Sequence, residues 1–190
     1  MRRTTSEMKR SAKENLKGNL GTCFLVEVAG AALTAVASWI PFAGLIVRGP
    51  LSVGTQEAYC KCTDQEKASF KHLFAGFKDN LGENFLLGLV KGIFIFMWTL
   101  LFLIPGIVKT YSYAMAEYLM TREKDLTAME AISESRRLMK GNKMRLFILK
   151  LSFIGWILLT IVTLGMAAFY VVPYMNMAVT EFFNDIYYAE

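Results

Sequence analysis

The feature that most constrains this chain is a hydrophobic tract of 34 residues, 85–118, interrupted near its middle by Pro105-Gly106. One helix needs about 20 apolar residues to cross a bilayer, so the tract is too long for a single span. Pro-Gly breaks helices and forms turns, and it falls where a hairpin of two spans would reverse direction. The tract therefore predicts a helical hairpin inside a membrane.

Composition and charge placement extend this prediction to the whole chain. Hydrophobic residues make up 54% of the 190 residues and charged residues only 19%, which is too apolar for a typical soluble domain. Of the 21 Lys and Arg residues, 17 lie in three polar segments, 1–19, 60–84 and 121–145. Under the positive-inside rule these segments are cytoplasmic. We therefore expect a multi-pass protein of the cell (cytoplasmic) membrane with cytoplasmic N- and C-termini.

The predicted fold is an all-α membrane protein in a single domain, with amphipathic helices on the cytoplasmic surface. Polar stretches at 1–19, 70–77 and 128–141 carry helical apolar periodicity, and Thr127 with Glu130 forms a capping-box pattern. The start of the chain also resembles a signal peptide, an alternative that the repeat described next disfavours. Six transmembrane or half-membrane segments are predicted, five at about 20–38, 45–59, 85–103, 106–120 and 144–164, and a sixth that runs through Pro173 to about Asp185.

An internal repeat organises these segments into three tandem helical hairpins, at approximately 1–59, 60–120 and 121–190. Each polar segment ends in an apolar residue, a lysine, a turn former and an asparagine, and the asparagines are 61 and 62 residues apart. The repeated positions are turn asparagines (Asn19, Asn80, Asn142), hairpin tips (Pro41, Pro105 with Gly106, Gly165), small polar residues (Ser52, Ser112, Asn176) and glutamates (Glu57, Glu117, Glu181). Parallel repeats of this kind predict a pseudo-threefold axis along the membrane normal.

Charged groups inside the predicted spans are the candidate functional residues. An ionisable side chain at this depth is costly unless it is paired or wetted, so the glutamates should face the bundle. We interpret most of them as structural ion pairs near the cytoplasmic ends of the spans. Glu27, Lys91 and Lys150 lie deeper, and around a shared axis they would form a polar centre for an anion or an amphiphile. The predicted network is Glu27, Glu57, Lys91, Glu117, Lys150, Glu181, Ser52, Ser112 and Asn176.

The chain lacks the motifs of common enzymes. It has no phosphate-binding loop, dinucleotide fingerprint or His-Glu-x-x-His sequence, so we predict no catalytic residue and no cofactor. A zinc site would need Cys60, Cys62 and His72, whose spacing is poor for ligands, and no metal is predicted. The basic amphipathic helices should attract anionic lipid headgroups on the cytoplasmic side rather than nucleic acid.

Three runs carry a family resemblance: 104–115 around Ile-Pro-Gly, 128–143, and 151–156. They are similar to the bacterial membrane family known as domain of unknown function 975, from about Phe70 to the C-terminus. The resemblance implies an integral protein of the cytoplasmic membrane, chiefly in Gram-positive bacteria, with no established activity and no functional residues to carry over. A more distant similarity of the hairpin to the membrane domain of some glycerophosphodiester phosphodiesterases implies a lipid-associated role by analogy.

The function expected from these features is non-enzymatic. The chain would bind a partner protein, a lipid or an amphiphilic peptide within the bilayer, in envelope stress or self-protection. A small transporter or channel with a polar axis is the first alternative, and a membrane enzyme acting on lipid is the second. A water-accessible cavity lined by all three repeat glutamates would favour transport, whereas a packed centre would favour binding.

Overall fold

The computed structural model describes residues 3–37, 39, 43–64, 66–78, 80–101 and 103–188, without the side chains of 43–46, 98–101 and 103–107. Within these ranges all regular secondary structure is helical. The predicted tip residue Pro41 lies outside them. The helices are α1 (Thr5–Leu16), α2 (Leu20–Ala37), α3 (Ala43–Thr63), a 3₁₀ helix (Phe70–Phe74), α4 (Ala75–Lys78), α5 (Leu81–Leu101), α6 (Leu103–Ser112), α7 (Ala116–Arg122), α8 (Ala128–Leu138), α9 (Lys143–Leu151), α10 (Ile154–Val162) and α11 (Ala168–Tyr187).

Asn19, Asn80 and Asn142 each stand immediately before a helix, α2, α5 and α9 respectively. The carbonyl of each asparagine accepts a hydrogen bond from the backbone N–H four residues later, which closes the first turn. Gly18 and Gly141 precede two of them with nearly equal φ of 85° and 83°, a left-handed conformation that glycine adopts without steric cost. At Asn19 and Asn142 the shared sequence pattern therefore corresponds to a shared local turn, whereas Asn80 itself has the positive φ, 50°.

Consecutive long helices pack antiparallel. The contacts between them pair residues whose numbers rise on one helix and fall on the other, as expected when the chain reverses between the two. The pairs are Cys23–Cys62 and Glu27–Tyr59 for α2 with α3, Lys91–Glu117 and Phe94–Tyr113 for α5 with the α6–α7 segment, and Phe153–Tyr174 and Trp156–Tyr170 for α9–α10 with α11.

The amphipathic helix α1 begins at a capping box in which Thr4 and Glu7 exchange hydrogen bonds. Its stripe of Met8, Ala12 and Leu16 is buried, as the spacing of four residues predicts. These residues join the largest apolar cluster of the described chain together with α11. Helix α1 therefore belongs to the packed protein core.

The predicted hairpin tips at Pro105-Gly106 and at Gly165 differ from each other in the structure. Pro105 and Gly106 lie in the first turn of α6 instead of forming the turn before it. The N–H groups of a first helical turn have no acceptor within the helix, so the missing N–H of proline costs nothing there. Gly165, by contrast, lies in the 163–167 turn with φ of 91°.

Glycine and proline usually interrupt a helix, but Gly49 and Pro50 lie inside α3. Both are buried against neighbouring backbone. A Cβ on Gly49 would come within 2.2 Å of the carbonyl oxygen of Asn84, and one on Gly88 within 2.6 Å of the Gly49 Cα. Helices α3 and α5 thus cross with their backbones in contact, which is the packing that small residues permit.

Two described stretches, Leu20–Ala37 and Lys143–Val162, are long and apolar enough to cross a membrane. The bent pair Phe70–Lys78 and Leu81–Met97, with 92° between its parts, makes a third if it is counted as one broken span. In each of the two stretches 20–37 and 143–162, only 17% of the residues are buried within the protein. The number is below the six predicted because α6 and α7 are short and α3 and α11 carry polar residues.

Helix α8 provides a test of the predicted capping box. Thr127 Oγ1 accepts from the Glu130 N–H at 3.3 Å, and Glu130 Oε2 accepts from the Thr127 N–H at 2.9 Å. Thr127→Ala should lower the free energy of unfolding by about 1 kcal/mol. Chemical unfolding in detergent checks this value, with Ser133→Ala as the exposed control on the same helix. An equal loss in both variants would contradict the capping role.

The same contact makes the contribution of the cap depend on pH. The hydrogen bond from the Thr127 backbone holds the pKa of Glu130 below its usual range. A carboxyl group whose pKa is lower in the folded state stabilises the fold at pH values above its unfolded-state pKa. This contribution is lost as the pH falls through the folded-state pKa. Thr127→Ala keeps the backbone donor but loses the hydroxyl, which also donates to Glu130 Oε2 and lowers its pKa, so the difference between wild type and this variant should shrink in acid.

Candidate functional site

Two adjoining cavities lie between helices α2, α3, α5, α6 and α7. The first, of about 480 Å³, separates α2 from α3 and is bordered by Glu27 and Thr34. The second, of about 530 Å³, is formed by α3, α5, α6 and α7 and is bordered by Lys91 and Glu117. Both are lined by Arg48 and Ser52 of α3. We call the two together the polar cavity.

Lys91 and Glu117 form an ion pair on the wall of the polar cavity. Lys91 Nζ donates to the two carboxylate oxygens of Glu117 at 2.5 and 2.6 Å. Their side chains are only 17% and 18% exposed, so the charges are largely removed from solvent. This pair joins α5 to α7, and it agrees with the interpretation of the repeat glutamate as half of a structural ion pair.

Glu27 is held by neutral donors. Its Oε1 accepts a hydrogen bond from the Tyr59 hydroxyl at 2.9 Å and another from the Asn176 side-chain amide. Tyr59 belongs to α3 and Asn176 to α11, so Glu27 connects three helices. The carboxylate is therefore positioned by hydrogen bonds at one end of the polar cavity.

Arg48 differs from these groups because it has no partner among the side chains that the structure describes. Within the described ranges its guanidinium makes no hydrogen bond and no ion pair, although it lines both parts of the polar cavity. Its side chain is exposed. An arginine offers five donors in a planar fork that matches carboxylate and phosphate groups. The cavity thus presents one cation with free donor capacity.

Lys150 lies close to the same region from the side of α9. Its ammonium stands over the Tyr111 ring at 5.5 Å from the centroid, within electrostatic range of Lys91 and Glu117. The three cations Arg48, Lys91 and Lys150 therefore exceed the two carboxylates Glu27 and Glu117 by one formal charge. Of the deep charges predicted from sequence, Lys91 and Lys150 lie close to each other, whereas Glu27 borders the other part of the polar cavity.

The three repeat glutamates do not share a cavity. Glu57 borders a separate, nearly filled pocket beside Asn80 and Asn84. Glu181 is 2% exposed and accepts from Arg3 Nη1 at 2.8 Å, while Asn15 donates to its other oxygen at 2.5 Å. Only Glu117 faces the polar cavity. The arrangement expected for a channel lined by all three is therefore absent from the described residues.

The cluster around Glu181 was missed by the sequence analysis. Asp185, one turn further along α11, accepts from the Arg3 backbone N–H at 3.1 Å and from Arg145 at 3.1 Å. Arg145 also donates to the Arg3 carbonyl at 3.1 Å. These contacts attach the N-terminal segment to α9 and α11. No motif near Arg3 signals this role, since its partners lie almost the whole chain away.

The small polar residues of the repeat have local roles. Ser52 Oγ donates to the Gly49 carbonyl at 2.8 Å, and Ser112 Oγ donates to the Val108 carbonyl at 2.9 Å. Both bonds satisfy helix carbonyls next to points where the helix is disturbed. Asn176 instead reaches across to Glu27. The three equivalent positions therefore differ in function.

The zinc ligands considered from sequence do not converge. Cys60 Sγ contacts Thr121 Oγ1 at 3.4 Å, and Cys62 Sγ contacts Cys23 Sγ at 3.6 Å. His72 Nδ1 accepts from the Ser69 N–H at 3.1 Å. In the part of the chain that the structure describes, no group of three or more metal-ligating side chains is assembled.

Residues 100–190 match the family model described as a protein of unknown function, DUF975. This segment, 91 of the 190 residues, is therefore similar to the DUF975 family. It begins at the end of α5, later than the Phe70 expected from the resemblance, and continues through α11. The DUF975 segment supplies Glu117 and Lys150, whereas Glu27, Arg48 and Lys91 precede it. Neither a curated protein nor a solved structure matches the chain.

Proposed function

We propose that this chain is a non-enzymatic integral membrane protein that binds an amphiphile with an anionic headgroup in the polar cavity. The observation that carries the proposal is Arg48, an arginine with unused donors on α3 that lines both parts of the cavity. Its guanidinium has no partner among the described residues, so an anion or water must complete its hydrogen bonds. A phosphate or carboxylate headgroup supplies the charge and the geometry that arginine prefers.

The walls of the cavity favour an amphiphile over a bare anion. Beyond Lys91 and Gly92, the α5 side of the cavity continues into Ile95 and Phe96, and Phe96 is 66% exposed. A headgroup at Arg48 would place an apolar chain along these side chains. The excess of one positive charge in the region also favours a ligand with one net negative charge.

We place this site in an architecture of six transmembrane or half-membrane segments, arranged as three tandem hairpins about a pseudo-threefold axis. The antiparallel helix pairs and the matching turns before α2 and α9 support it. Both termini would be cytoplasmic in a bacterial cytoplasmic membrane, with the basic surface helices on anionic lipid. The proposed biological setting is envelope stress or self-protection against a membrane-active compound.

Arg48→Gln tests the proposed site. Replacing the charged fork with a neutral amide should weaken binding of short-chain phosphatidylglycerol about tenfold, because a charge-assisted bidentate contact is lost. Binding is measured by tryptophan fluorescence titration of detergent-solubilised protein, with phosphatidylcholine and inorganic phosphate as comparison ligands. If phosphatidylglycerol binds more tightly than both phosphatidylcholine and inorganic phosphate, the ligand of the site is an anionic lipid.

The matched control is Arg10→Gln, which removes the same charge from an exposed position on α1 where Arg10 pairs with Glu14. It should leave the affinity within about twofold of wild type, since exposed ion pairs contribute little. Equal affinities in wild type and Arg48→Gln would contradict the proposal. Tighter binding of phosphate than of the lipid would identify a bare-anion site.

Transport is a second candidate, which the two adjoining cavities favour. Their shared lining at Arg48 and Ser52 would let a ligand move from the α2–α3 side to the α5 side. The positions of Glu57 and Glu181 outside both cavities limit this idea to a path without the repeat glutamates. Reconstituted vesicles that accumulate a labelled organic anion only when Arg48 is present would favour transport over binding.

A further inference from the structure

Helices α2 and α3 hold a pair of thiols that the polar cavity does not use. Cys23 Sγ and Cys62 Sγ lie 3.6 Å apart although the residues are 39 positions apart in sequence. Both side chains are buried at 1% exposure. The third cysteine, Cys60, contacts Thr121 instead. One thiol pair and one separate thiol are therefore present on the same helix junction.

The thiol pair is part of a regular series of contacts between α2 and α3. The next contact joins Glu27, four residues after Cys23, to Tyr59, three residues before Cys62. Because residues three and four apart share a helix face, both contacts lie along one seam. Beyond them lies the 480 Å³ part of the cavity, which residues of both helices line. A covalent bond at Cys23 and Cys62 would fix the base of this opening.

We propose that Cys23 and Cys62 form a redox modification site, at which a low-molecular-weight disulfide converts the two thiols into a bond between α2 and α3. The sulfur atoms need to approach by about 1.5 Å to reach the disulfide length of about 2.05 Å. The antiparallel seam already holds both side chains towards each other. Cys60 has no thiol within its contacts, so it stays reduced.

The reaction proceeds by thiol–disulfide exchange and is balanced by the oxidant. Cys62, in the last turn of α3 next to the exposed Asp64, loses its proton and attacks one sulfur of the small disulfide, releasing the first small thiol. Cys23 then loses its proton and attacks Cys62 Sγ, which releases the second. Two electrons and two protons pass to the oxidant, and the bond between the helices forms.

Peptide mapping of the full chain in detergent, after incubation with oxidised glutathione, tests the modification. We expect the intact mass to fall by two hydrogen atoms, a cross-linked peptide pair containing Cys23 and Cys62, and full reversal by a reductant. Cys60→Ser should behave like wild type, whereas Cys62→Ser should form no bond within the chain. Complete alkylation of all three thiols after oxidation, or a bond that includes Cys60, would overturn the proposal.

The effect on ligand binding rests on the proposed function and is measured separately. With the base of the α2–α3 opening fixed, bound phosphatidylglycerol should dissociate at least about threefold more slowly from oxidised than from reduced wild type, as expected for a restrained site. A disulfide without a change in dissociation would overturn the regulatory effect alone. Absence of lipid binding in the reduced protein would overturn the proposed function and leave the mapping result intact.

Discussion

Gly88→Ala is expected to lower the free energy of unfolding in detergent by about 3 kcal/mol. The added methyl would stand 2.6 Å from the Gly49 Cα and 2.9 Å from its nitrogen. Both atoms are backbone, so no side-chain rotation relieves the overlap, and α3 and α5 must separate. Separation would also remove contacts between Gly49 and the Asn84 backbone. Unfolding by titration with sodium dodecyl sulfate measures the loss.

Gly92→Ala is the matched control, one turn further along α5. A Cβ there meets nothing within 4 Å. Alanine is favoured over glycine in a helix interior, so this variant should gain about 0.5–1 kcal/mol. Opposite signs for the two substitutions isolate the helix crossing from helix propensity. A gain in both would show that α3 and α5 do not cross in contact.

Lys91→Met should cost about 2–3 kcal/mol of unfolding free energy, because Glu117 then keeps a largely buried charge without its partner. The estimate is at the low end for broken buried pairs, since both side chains retain some exposure. Glu117→Gln should also be destabilising, because it leaves Lys91 near the like charge of Lys150. Unfolding titrations in detergent measure both.

The double variant Lys91→Met with Glu117→Gln completes the cycle and should recover most of the loss. Replacing both charges removes the desolvation cost together with the attraction, and such exchanges are often nearly neutral. Additive losses in the double variant would contradict the ion-pair interpretation. Unchanged stability in all three with weaker lipid binding would assign the pair to the ligand site.

Local parts of this structure were predictable because neighbouring residues encode them. The capping boxes at Thr4 and Thr127 and the turns at Gly18 and Gly141 each need only a few adjacent side chains. The buried stripe of α1 follows from helical periodicity. The sequence placed Lys91 and Glu117 in one predicted polar network, because few cations lie within the apolar tracts.

The remaining features depend on contacts that no local pattern encodes. Pro105 signals a break, but whether it lies before or inside a helix depends on which turn can dispense with an N–H. Met129 of α8 is 50% exposed, because the side of this helix that faces the core carries Ala128 and Ala131. That the Arg48 guanidinium has no hydrogen-bond partner among the described residues depends on which side chains surround it, and the sequence does not encode this. Six spans and a threefold axis stay predictions.

The attachment of Arg3 to Glu181 and Asp185 has a consequence for the order of assembly. Arg3 is synthesised some 180 residues before its carboxylate partners. Until those residues exist, the apolar stripe of α1 has no helix α11 to pack against. We therefore expect the α1–α11 junction to form late in folding, after both helices have been made.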